Sequence, residues 1–250
     1  MQTLVFQLQA PMAAWGEPAV GGYRASASYP GKSALAGLLG AALGLRRGEQ
    51  TAELHGLHDG YRYAVAVRSE GGLLRDYHTS QVPSQATLKR YPHASRRDEL
   101  NVPQADLNTI LSTRDYRSNG DWLVAVEATE SAAYSLGELM AVLKEPRFVL
   151  YLGRKSCPPA APLFPQVLEA ESVYQAFRQY ETLLDQRHAA LGEPEKTASS
   201  IQKLIWEEGM TAGLEHDLRT WRKDRLIQRD NWQFGDRIEL IAMMSPEKED

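Results

Sequence analysis

Hydrophobic and polar residues alternate along several short segments of the chain, a pattern typical of half-buried β-strands. The segments with this pattern are residues 3–9, 61–68, 73–79, 122–128, 201–207 and 237–243. Pro11 is expected to end the first strand, because proline lacks the N–H that a strand ladder uses. Gly71 and Gly72 predict a turn that pairs the second and third segments as a hairpin. A further strand is expected to begin at Arg147 and to run into a loop with one glycine and two basic residues.

Four other segments predict helices, over residues 33–43, 51–58, 135–144 and 173–191. Ser33 is expected to cap the first of these helices, and Gly44 is expected to end it. Ser135 and Glu138 have the spacing of a capping box, which predicts the start of the third helix. Together with the strands, these helices give the order β-α-β-β…β-α-β. That order predicts an α+β fold with a ferredoxin-like or RRM-like antiparallel sheet.

The composition indicates a folded protein, with 250 residues of which 43% are hydrophobic. We expect a single domain over residues 1–250, with a polar linker at residues 192–200. Cys157 is the one cysteine, and no Cys/His cluster has zinc spacing, so we expect no metal ion and no cofactor. The N-terminus does not have the pattern of a signal peptide, and no run reaches the roughly 18 apolar residues of a membrane span. We therefore expect a cytoplasmic protein without membrane contact.

Charge is unevenly distributed although the net charge is only −4. Residues 165–217 contain ten acidic and four basic residues, a balance of −6, whereas residues 75–117 contain seven basic and five acidic residues, a balance of +2. Arg154 and Lys155 have no acidic neighbour in the sequence. Because binding depends on where charges lie, the acidic total does not exclude a local basic surface for nucleic acid.

The tripeptide Gly31-Lys32-Ser33 matches the end of a nucleotide-binding P-loop. The rest of that motif is missing, because Ser26 stands where its first glycine belongs and no apolar strand precedes it. Lys32 and Ser33 nevertheless lie at a predicted helix start, where free N–H groups favour an anion such as a polynucleotide phosphate. The alternative is that Ser33 is only a cap and Lys32 is only solvated.

Three short motifs combine basic and aromatic residues in the way that single-stranded RNA is held. They are RDYHT at residues 75–79, TRDYR at residues 113–117 and YLGRKSC at residues 151–157. Each motif alone is equally consistent with a twisted hairpin and cross-strand charge pairs. Their combination beside a helix start that suits an anion favours a polynucleotide ligand.

Longer motifs resemble the fifth Cas family of RAMP-type proteins, in particular its CasD branch from type I-E CRISPR Cascade complexes. The motifs are APMAAWGEPAVGGYRASASYPGKSALAGLLGAALGL, LRDYHT, TRDY followed by DWLVAV, and YLGRKSCP. They occur in the family's order over about residues 1–165, after which this chain is longer and more divergent.

The resemblance implies an RRM-like fold with an extended β-hairpin thumb and C-terminal additions. It places the thumb at residues 75–117 and leaves residues 165–217 as a divergent acidic helical region. Members of this branch grip the 5′ handle of CRISPR RNA without cleaving it, because a different subunit, CasE, cuts the precursor. The implied partners are CRISPR RNA, the backbone subunit CasC, the large subunit CasA and, through the assembled complex, target DNA.

The resemblance also implies a handle pocket between the helix that starts at Lys32 and the loop YLGRKS. We expect Lys32, Arg154 and Lys155 to contact phosphates. Ser33 and Gly153 are expected to supply polar backbone contacts. Further candidates for RNA contact are Arg24, Arg75, Arg114, Arg117, Tyr77, His78 and Tyr116. Trp15 suits a base pocket and a buried core equally well, and no residue is expected to be catalytic.

Two other functions remain open at this point. Type I-C relatives cleave precursor CRISPR RNA without a metal ion, and Tyr77, His78 and either Lys32 or Lys155 carry the groups that such a reaction needs. Neighbouring strand residues point to opposite faces, however, so Tyr77 and His78 reach the same phosphate only if the strand bulges. The other alternative is an assembly protein, whose acidic region meets a basic partner while RNA contact is incidental.

Overall fold

The computed structural model describes residues 1–19, 21–46, 48–192, 200–228 and 233–244. Its strands, numbered β1 to β11 in chain order, are Gln2–Ala13, Trp15–Gly16, Tyr23–Arg24, Ser26–Ala27, Tyr61–Ser69, Gly72–Pro83, Leu107–Ala128, Gln166–Glu169, Lys203–Glu207, Leu218–Gln228 and Gln233–Met243. Its α-helices, α1 to α6, are Lys32–Leu43, Thr51–Asp59, Gln85–Arg90, Arg96–Leu100, Leu136–Lys144 and Val173–Ala190, and a 3-10 helix spans Gln104–Asp106. Strands and helices thus share one chain in an α+β arrangement.

The central strands have the order β8-β1-β7-β5, and each neighbouring pair is antiparallel. Helices α1 and α2 connect β1 to β5, and α5 connects β7 to β8. This βαββαβ connection, with the last strand beside the first, is the ferredoxin-like arrangement. The predicted α+β fold class is therefore confirmed.

Local sequence signals account for where the main helices begin and end. Ser135 accepts a hydrogen bond from the backbone N–H of Glu138, and the Glu138 side chain accepts one from the backbone of Ser135, so the predicted capping box is present. Gly44 ends α1 in the left-handed conformation, with φ of 77°, as predicted. These signals involve residues only a few positions apart, which is why the sequence shows them.

Both faces of the sheet are covered by helices. Alternate residues of β1 point to opposite faces, so that Leu4 and Phe6 join a core with α1, α2 and α5. Val5 joins a second core, in which α6 contributes Phe177 and Tyr180. The alternation that predicted this strand therefore serves two cores in the folded protein.

Three C-terminal strands extend the sheet beyond β5 in the order β9, β11 and β10. The sequence predicted β9 and β11 but not β10. The sequence of β10, LRTWRKDRLIQ, contains five charged residues and lacks a regular apolar alternation. It forms a strand because β11 supplies a backbone partner from Leu218 to Gln228.

The predicted pairing of residues 61–68 with residues 73–79 is wrong. Strand β6 pairs instead with β7, in an unbroken register from Gly72 opposite Ser118 to Pro83 opposite Leu107. Strand β7 has 22 residues, so its first half pairs with β6 while its second half pairs with β1 and β5. The two sides of β5 are occupied by β7 and β9. The segment 75–117, expected as a thumb, lies within this β6–β7 hairpin.

Two expectations about strand ends are also wrong. Pairing between β1 and β7 continues past Pro11 to Met12 and Ala13. Pro11 stands opposite Asn119, whose φ of 57° interrupts the ladder at that point, so no partner needs the missing N–H. The strand expected from Arg147 does not form, since residues 145–165 are irregular. Their buried apolar side chains, Leu150, Leu152, Cys157 and Leu163, pack singly into the first core.

The acidic segment 165–217 contributes β8, α6 and β9, and its residues 193–199 lie outside the described part of the chain. The linker expected at residues 192–200 falls almost entirely in that gap. No helix within the described ranges has the length and apolar composition needed to cross a membrane.

Candidate RNA-binding surface

Lys32 is buried and forms an internal ion pair. Its Nζ lies 2.8 Å from Glu207 Oε2 and donates a hydrogen bond to the Tyr61 carbonyl oxygen at 3.0 Å. Burial raises the pKa of Glu207, and the neighbouring ammonium acts in the opposite direction. The expectation that Lys32 contacts phosphate is therefore wrong, because its charge is neutralised inside the protein.

The start of α1 holds an anion from this chain. Gly31 is the N-cap, and the backbone N–H of Lys32 donates to Asp224 Oδ2 at 2.7 Å. Arg237 holds the same carboxylate through two hydrogen bonds of 2.9 Å. The N-terminus of α1 binds a negative group, as the helix dipole favours, but that group is Asp224 and not a phosphate. Ser33 follows the first helical residue and does not cap the helix.

The unbroken β6–β7 register places consecutive residues on opposite faces of the hairpin. Tyr77 pairs with Thr113, and His78 pairs with Ser112. No bulge interrupts the ladder, so the side chains of Tyr77 and His78 point in opposite directions. The first face carries Arg75, Tyr77, Asp115 and Arg117, and the second face carries His78, Arg114 and Tyr116.

Two neighbouring cavities border the second face. One has a volume of about 380 Å³, and the other has a volume of about 330 Å³. Arg24 and Arg154 line both cavities, and Arg114 lines the larger one. We call this joint surface, marked by Arg24, Arg114 and Arg154, the arginine groove. The structure thereby brings together three of the predicted cations.

Helix α1 forms one wall of the smaller cavity. The residues Ser33, Gly37 and Ala41 recur four positions apart on that wall, and Gly153 faces them from the loop after α5. A Cβ added to Gly37 would meet no heavy atom within 4 Å, so the wall is open at this point. Small side chains leave room for a ligand to approach the helix backbone.

Arg154 connects the loop to two strands. Its Nη1 donates to the Asp115 carbonyl oxygen at 3.1 Å, and its Nη2 donates to the Arg24 carbonyl oxygen at 3.3 Å. The guanidinium carbon lies 4.5 Å from the centre of the Tyr116 ring, which is a cation–π distance. Arg154 therefore positions the groove, and its hydrogen bonds go to backbone carbonyl oxygens and leave its positive charge without an ion-pair partner among the described residues. Its contact with phosphate remains a prediction.

Gly153 fits where another residue would collide with the backbone. Its φ is 86°, and a Cβ at this position would lie 1.7 Å from the carbonyl oxygen of Ala14. The next contact along the same loop is a hydrogen bond of 3.0 Å from the N–H of Ala14 to the Leu152 carbonyl oxygen. The glycine therefore allows the loop to pack directly on the end of β1.

The first face of the hairpin carries a neutralised cation. Arg75 donates two hydrogen bonds to Asp115, of 2.9 and 3.1 Å, and a third to the Tyr23 hydroxyl at 3.0 Å. The hydrogen bond from Arg75 lowers the pKa of Asp115 below its usual range, and the bond to Asp115 raises the pKa of Tyr23. Arg75 is thus a weaker phosphate candidate than Arg114, because an ionised carboxylate compensates its charge.

The remaining predicted residues do not converge on one point. Tyr77 is 65% exposed on the first face, and Lys155 is exposed beside the groove. Arg117 donates to the Ala27 carbonyl oxygen at 3.1 Å and is partly buried. Trp15 belongs to the core, where its ring meets Trp122 edge to face at 5.2 Å. Its alternative role in a base pocket is therefore excluded by burial.

Sequence reasoning missed Tyr23 and the central position of Asp115. Tyr23 lies in a glycine-rich stretch without periodicity, and its role depends on the parallel pairing of β3 with β7. Asp115 was visible within TRDYR, but its contact with Arg75 follows only from the hairpin register. Within the described ranges, no group of three or more His, Cys, Asp or Glu side chains is arranged to hold a metal ion.

Comparisons with known proteins give consistent results. The model of the CRISPR-associated protein Cas5 family matches residues 3–237. The CRISPR system Cascade subunit CasD of Escherichia coli (strain K12) is 33% identical over 186 residues, which is 71% of this chain and 76% of that protein. A chain of a solved CRISPR RNA-guided surveillance complex gives a TM-score of 0.61 at 22% identity, over 96% of this chain and 89% of that chain. A Cas protein crystal structure gives 0.54 at 23% identity, over 98% and 96% of the two chains. At these identities the two structures bear on the fold alone.

Proposed function

Because this chain belongs to the Cas5 family of CRISPR-associated proteins, we propose that it binds the 5′ handle of CRISPR RNA as a non-catalytic subunit of a Cascade-type complex. The arginine groove is the proposed site. Neighbouring subunits of the CasC and CasA types complete the assembly, which then recognises target DNA by pairing with the RNA. The family relationship supports a role in a CRISPR system, and the arginine groove supports contact with RNA.

The observation that carries the RNA contact is the convergence of Arg24, Arg114 and Arg154 around two joined cavities. Guanidinium groups bind phosphates through two parallel N–H donors, which suits a folded RNA backbone. The open α1 wall offers space beside them for a sugar or base. The Arg154 guanidinium, which lies over the Tyr116 ring, offers a planar surface of the kind on which unstacked bases rest.

The hairpin geometry supports a binding role over cleavage. Cleavage without a metal ion needs a base and a proton donor that act on one phosphate. Tyr77 and His78 lie on opposite faces of a regular ladder, so they do not form such a pair. Nδ1 of His78 lies 3.8 Å from Asp76, with both side chains about half exposed. That environment gives the imidazole no buried partner to hold it at a reacting group.

The test is to incubate the purified chain with labelled CRISPR repeat RNA in EDTA, resolving retention on a native gel and cleavage on a denaturing gel. We expect retained and uncut RNA, and weaker retention by Arg114→Ala. Arg178→Ala is the matched control, because α6 packs on the opposite face of the sheet. A single discrete cut that His78→Ala abolishes would establish a nuclease instead. Absence of binding, alone and with the neighbouring subunits added, would favour a pure assembly role.

A further inference from the structure

The edge strand β10 carries a stripe of basic residues around an exposed tryptophan. Arg219, Trp221, Lys223 and Arg225 are all exposed, and Trp221 is 65% accessible. Strand β10 is the last strand of the sheet, so β11 is its single partner strand among the described residues. An exposed tryptophan in a row of cations is unusual on a protein surface, where large aromatic side chains are mostly buried.

This stripe is continuous with the arginine groove. A third cavity, of about 670 Å³, is lined by Trp221, Lys223 and Phe234 together with the start of α1. It shares Gly16, Glu17, Ser33 and Phe234 with the 330 Å³ cavity of the groove. A path therefore runs from Arg114 on the hairpin, past the first turn of α1, to the indole of Trp221.

We propose that Trp221 is a base-stacking residue for RNA that extends beyond the arginine groove, with Lys223 contacting the adjacent phosphate. The inference rests on the proposed function, since it extends the RNA from that same site. Single-stranded RNA is held by aromatic faces under its bases and by cations along its backbone. Trp221 and Lys223 line the same cavity and provide one of each.

The indole is held in place on one side. The Arg219 guanidinium carbon lies 5.5 Å from the centre of the Trp221 ring, and Arg219 is itself fixed by Glu208 at 3.1 Å. A base on the free side would complete a stack of guanidinium, indole and base. Because the guanidinium already contacts one side of the ring, ordering the indole on binding should cost less side-chain entropy than ordering an isolated one.

The surrounding charges favour a nucleic acid over an acidic protein segment. Two carboxylates line this cavity. Asp224 is buried and held by Arg237, and Glu17 lies 4.0 Å from Arg222. Lys223 and Arg225, on the exposed side of β10, form no ion pair with another described residue, and the aromatic ring beside them suits a planar base.

The test measures the affinity of the full chain for fluorescently labelled handle RNA fragments of increasing length, by anisotropy. Trp221→Ala is expected to weaken binding of the longest fragment about tenfold, from the usual strength of a base–aromatic stack. It should leave the shortest bound fragment unaffected, because that fragment occupies the groove alone. Trp221→Phe should restore most of the affinity. Leu191→Ala, which removes an exposed apolar side chain at the end of α6 on the other face of the sheet, is the control.

The length dependence separates stacking from a structural effect. An equal loss for all fragments, or no loss for any fragment while Arg114→Ala still weakens binding, would overturn this inference and leave the proposed function intact. Unchanged RNA affinity with loss of a neighbouring Cascade subunit would assign Trp221 to a protein contact and would also overturn it. A wild-type chain that binds none of the fragments, alone or with the neighbouring subunits added, would remove the proposed function together with this extension.

Discussion

The ammonium of Lys32 and the carboxylate of Glu207 meet at 2.8 Å in the interior, although the two residues are 175 positions apart in the chain. Their contact joins the first turn of α1 to strand β9. The Glu207 carboxylate also accepts a hydrogen bond from the backbone N–H of Tyr63 at 3.0 Å. The pair therefore connects the C-terminal strands to the ferredoxin-like part of the sheet.

Lys32→Met should destabilise the protein strongly. The substitution keeps most of the side-chain volume but leaves Glu207 buried without its cation, a change that costs about 3–5 kcal/mol in comparable sites. The double variant Lys32→Met, Glu207→Gln should recover much of that loss, since an amide oxygen still accepts from Tyr63. Urea unfolding of the four proteins in the cycle measures the coupling. A single variant within about 1 kcal/mol of wild type would contradict this account.

Asp224 should make stability depend on pH at the acidic end. Burial raises its pKa, but hydrogen bonds and charge from Arg237, with Arg222 and the Lys32 N–H, outweigh burial and lower the pKa below its usual value. A carboxylate with a lowered pKa in the folded state stabilises the protein above its unfolded pKa of about 3.9. That contribution is lost as pH falls through the folded pKa.

Asp224→Asn should accordingly be less stable than wild type at neutral pH, and the difference should narrow as pH falls below about 4. Urea unfolding at neutral pH and at successive acidic values measures both proteins. Glu138→Gln allows a buried and an exposed carboxylate to be compared. Glu138 also has a lowered pKa, but it is exposed at the start of α5. A difference in unfolding free energy between wild type and Asp224→Asn that stays constant with pH would argue against a pH-dependent contribution of Asp224 to stability.

Gly153→Ala should displace the loop that borders the arginine groove. The added Cβ would lie 1.7 Å from the Ala14 carbonyl oxygen, which belongs to the backbone and has little freedom to move. With the positive φ, we expect a loss of at least about 2 kcal/mol in unfolding free energy. Gly37→Ala, where the added Cβ meets open space, should be neutral or slightly stabilising. Equal stability of the two variants, measured by thermal unfolding, would refute this prediction.

Alanine substitutions at Arg154 and Lys155 should separate an effect on protein stability from a direct effect on RNA binding. Arg154→Ala removes two hydrogen bonds to strand carbonyls and the contact with Tyr116, so both the melting temperature and RNA affinity should fall. Lys155→Ala should lower affinity alone, because Lys155 is exposed. Scanning calorimetry and anisotropy on the same samples test this. Loss of stability in Lys155→Ala, or unaltered stability in Arg154→Ala, would contradict a structural role for Arg154 and a purely direct role for Lys155.

Salt should weaken RNA binding in proportion to the number of phosphate contacts. For single-stranded nucleic acid, log affinity falls against log salt with a slope near −0.7 per contact. Arg114→Ala should make the slope shallower by about 0.7, whereas Arg178→Ala should leave it unchanged. Anisotropy titrations across a series of salt concentrations give the slopes. A wild-type RNA affinity that does not change with salt concentration would rule out binding through phosphate contacts.

The candidate site could be predicted from the sequence only in part. The motifs gave Arg114, Arg154 and Gly153 as candidates for RNA contact, and the folded chain brings them to the same pair of cavities. The same reasoning assigned Lys32 to a phosphate, because the sequence shows a cation at a helix start but not the carboxylates that reach it. It also passed over Trp221, because β10 has too many charged residues to be recognised as a strand.

The sequence by itself determined the features that depend on near neighbours. Alternation specified strands such as β1, β5, β9 and β11, local signals specified the start of α5 and the end of α1, and short motifs identified the family. Tertiary structure decided which strand pairs with β6, which anion occupies the start of α1 and that carboxylates neutralise Lys32 and Arg75. These outcomes depend on contacts between residues far apart in the chain. Hydrogen-bond register and burial select such contacts, and neither is encoded in a local pattern.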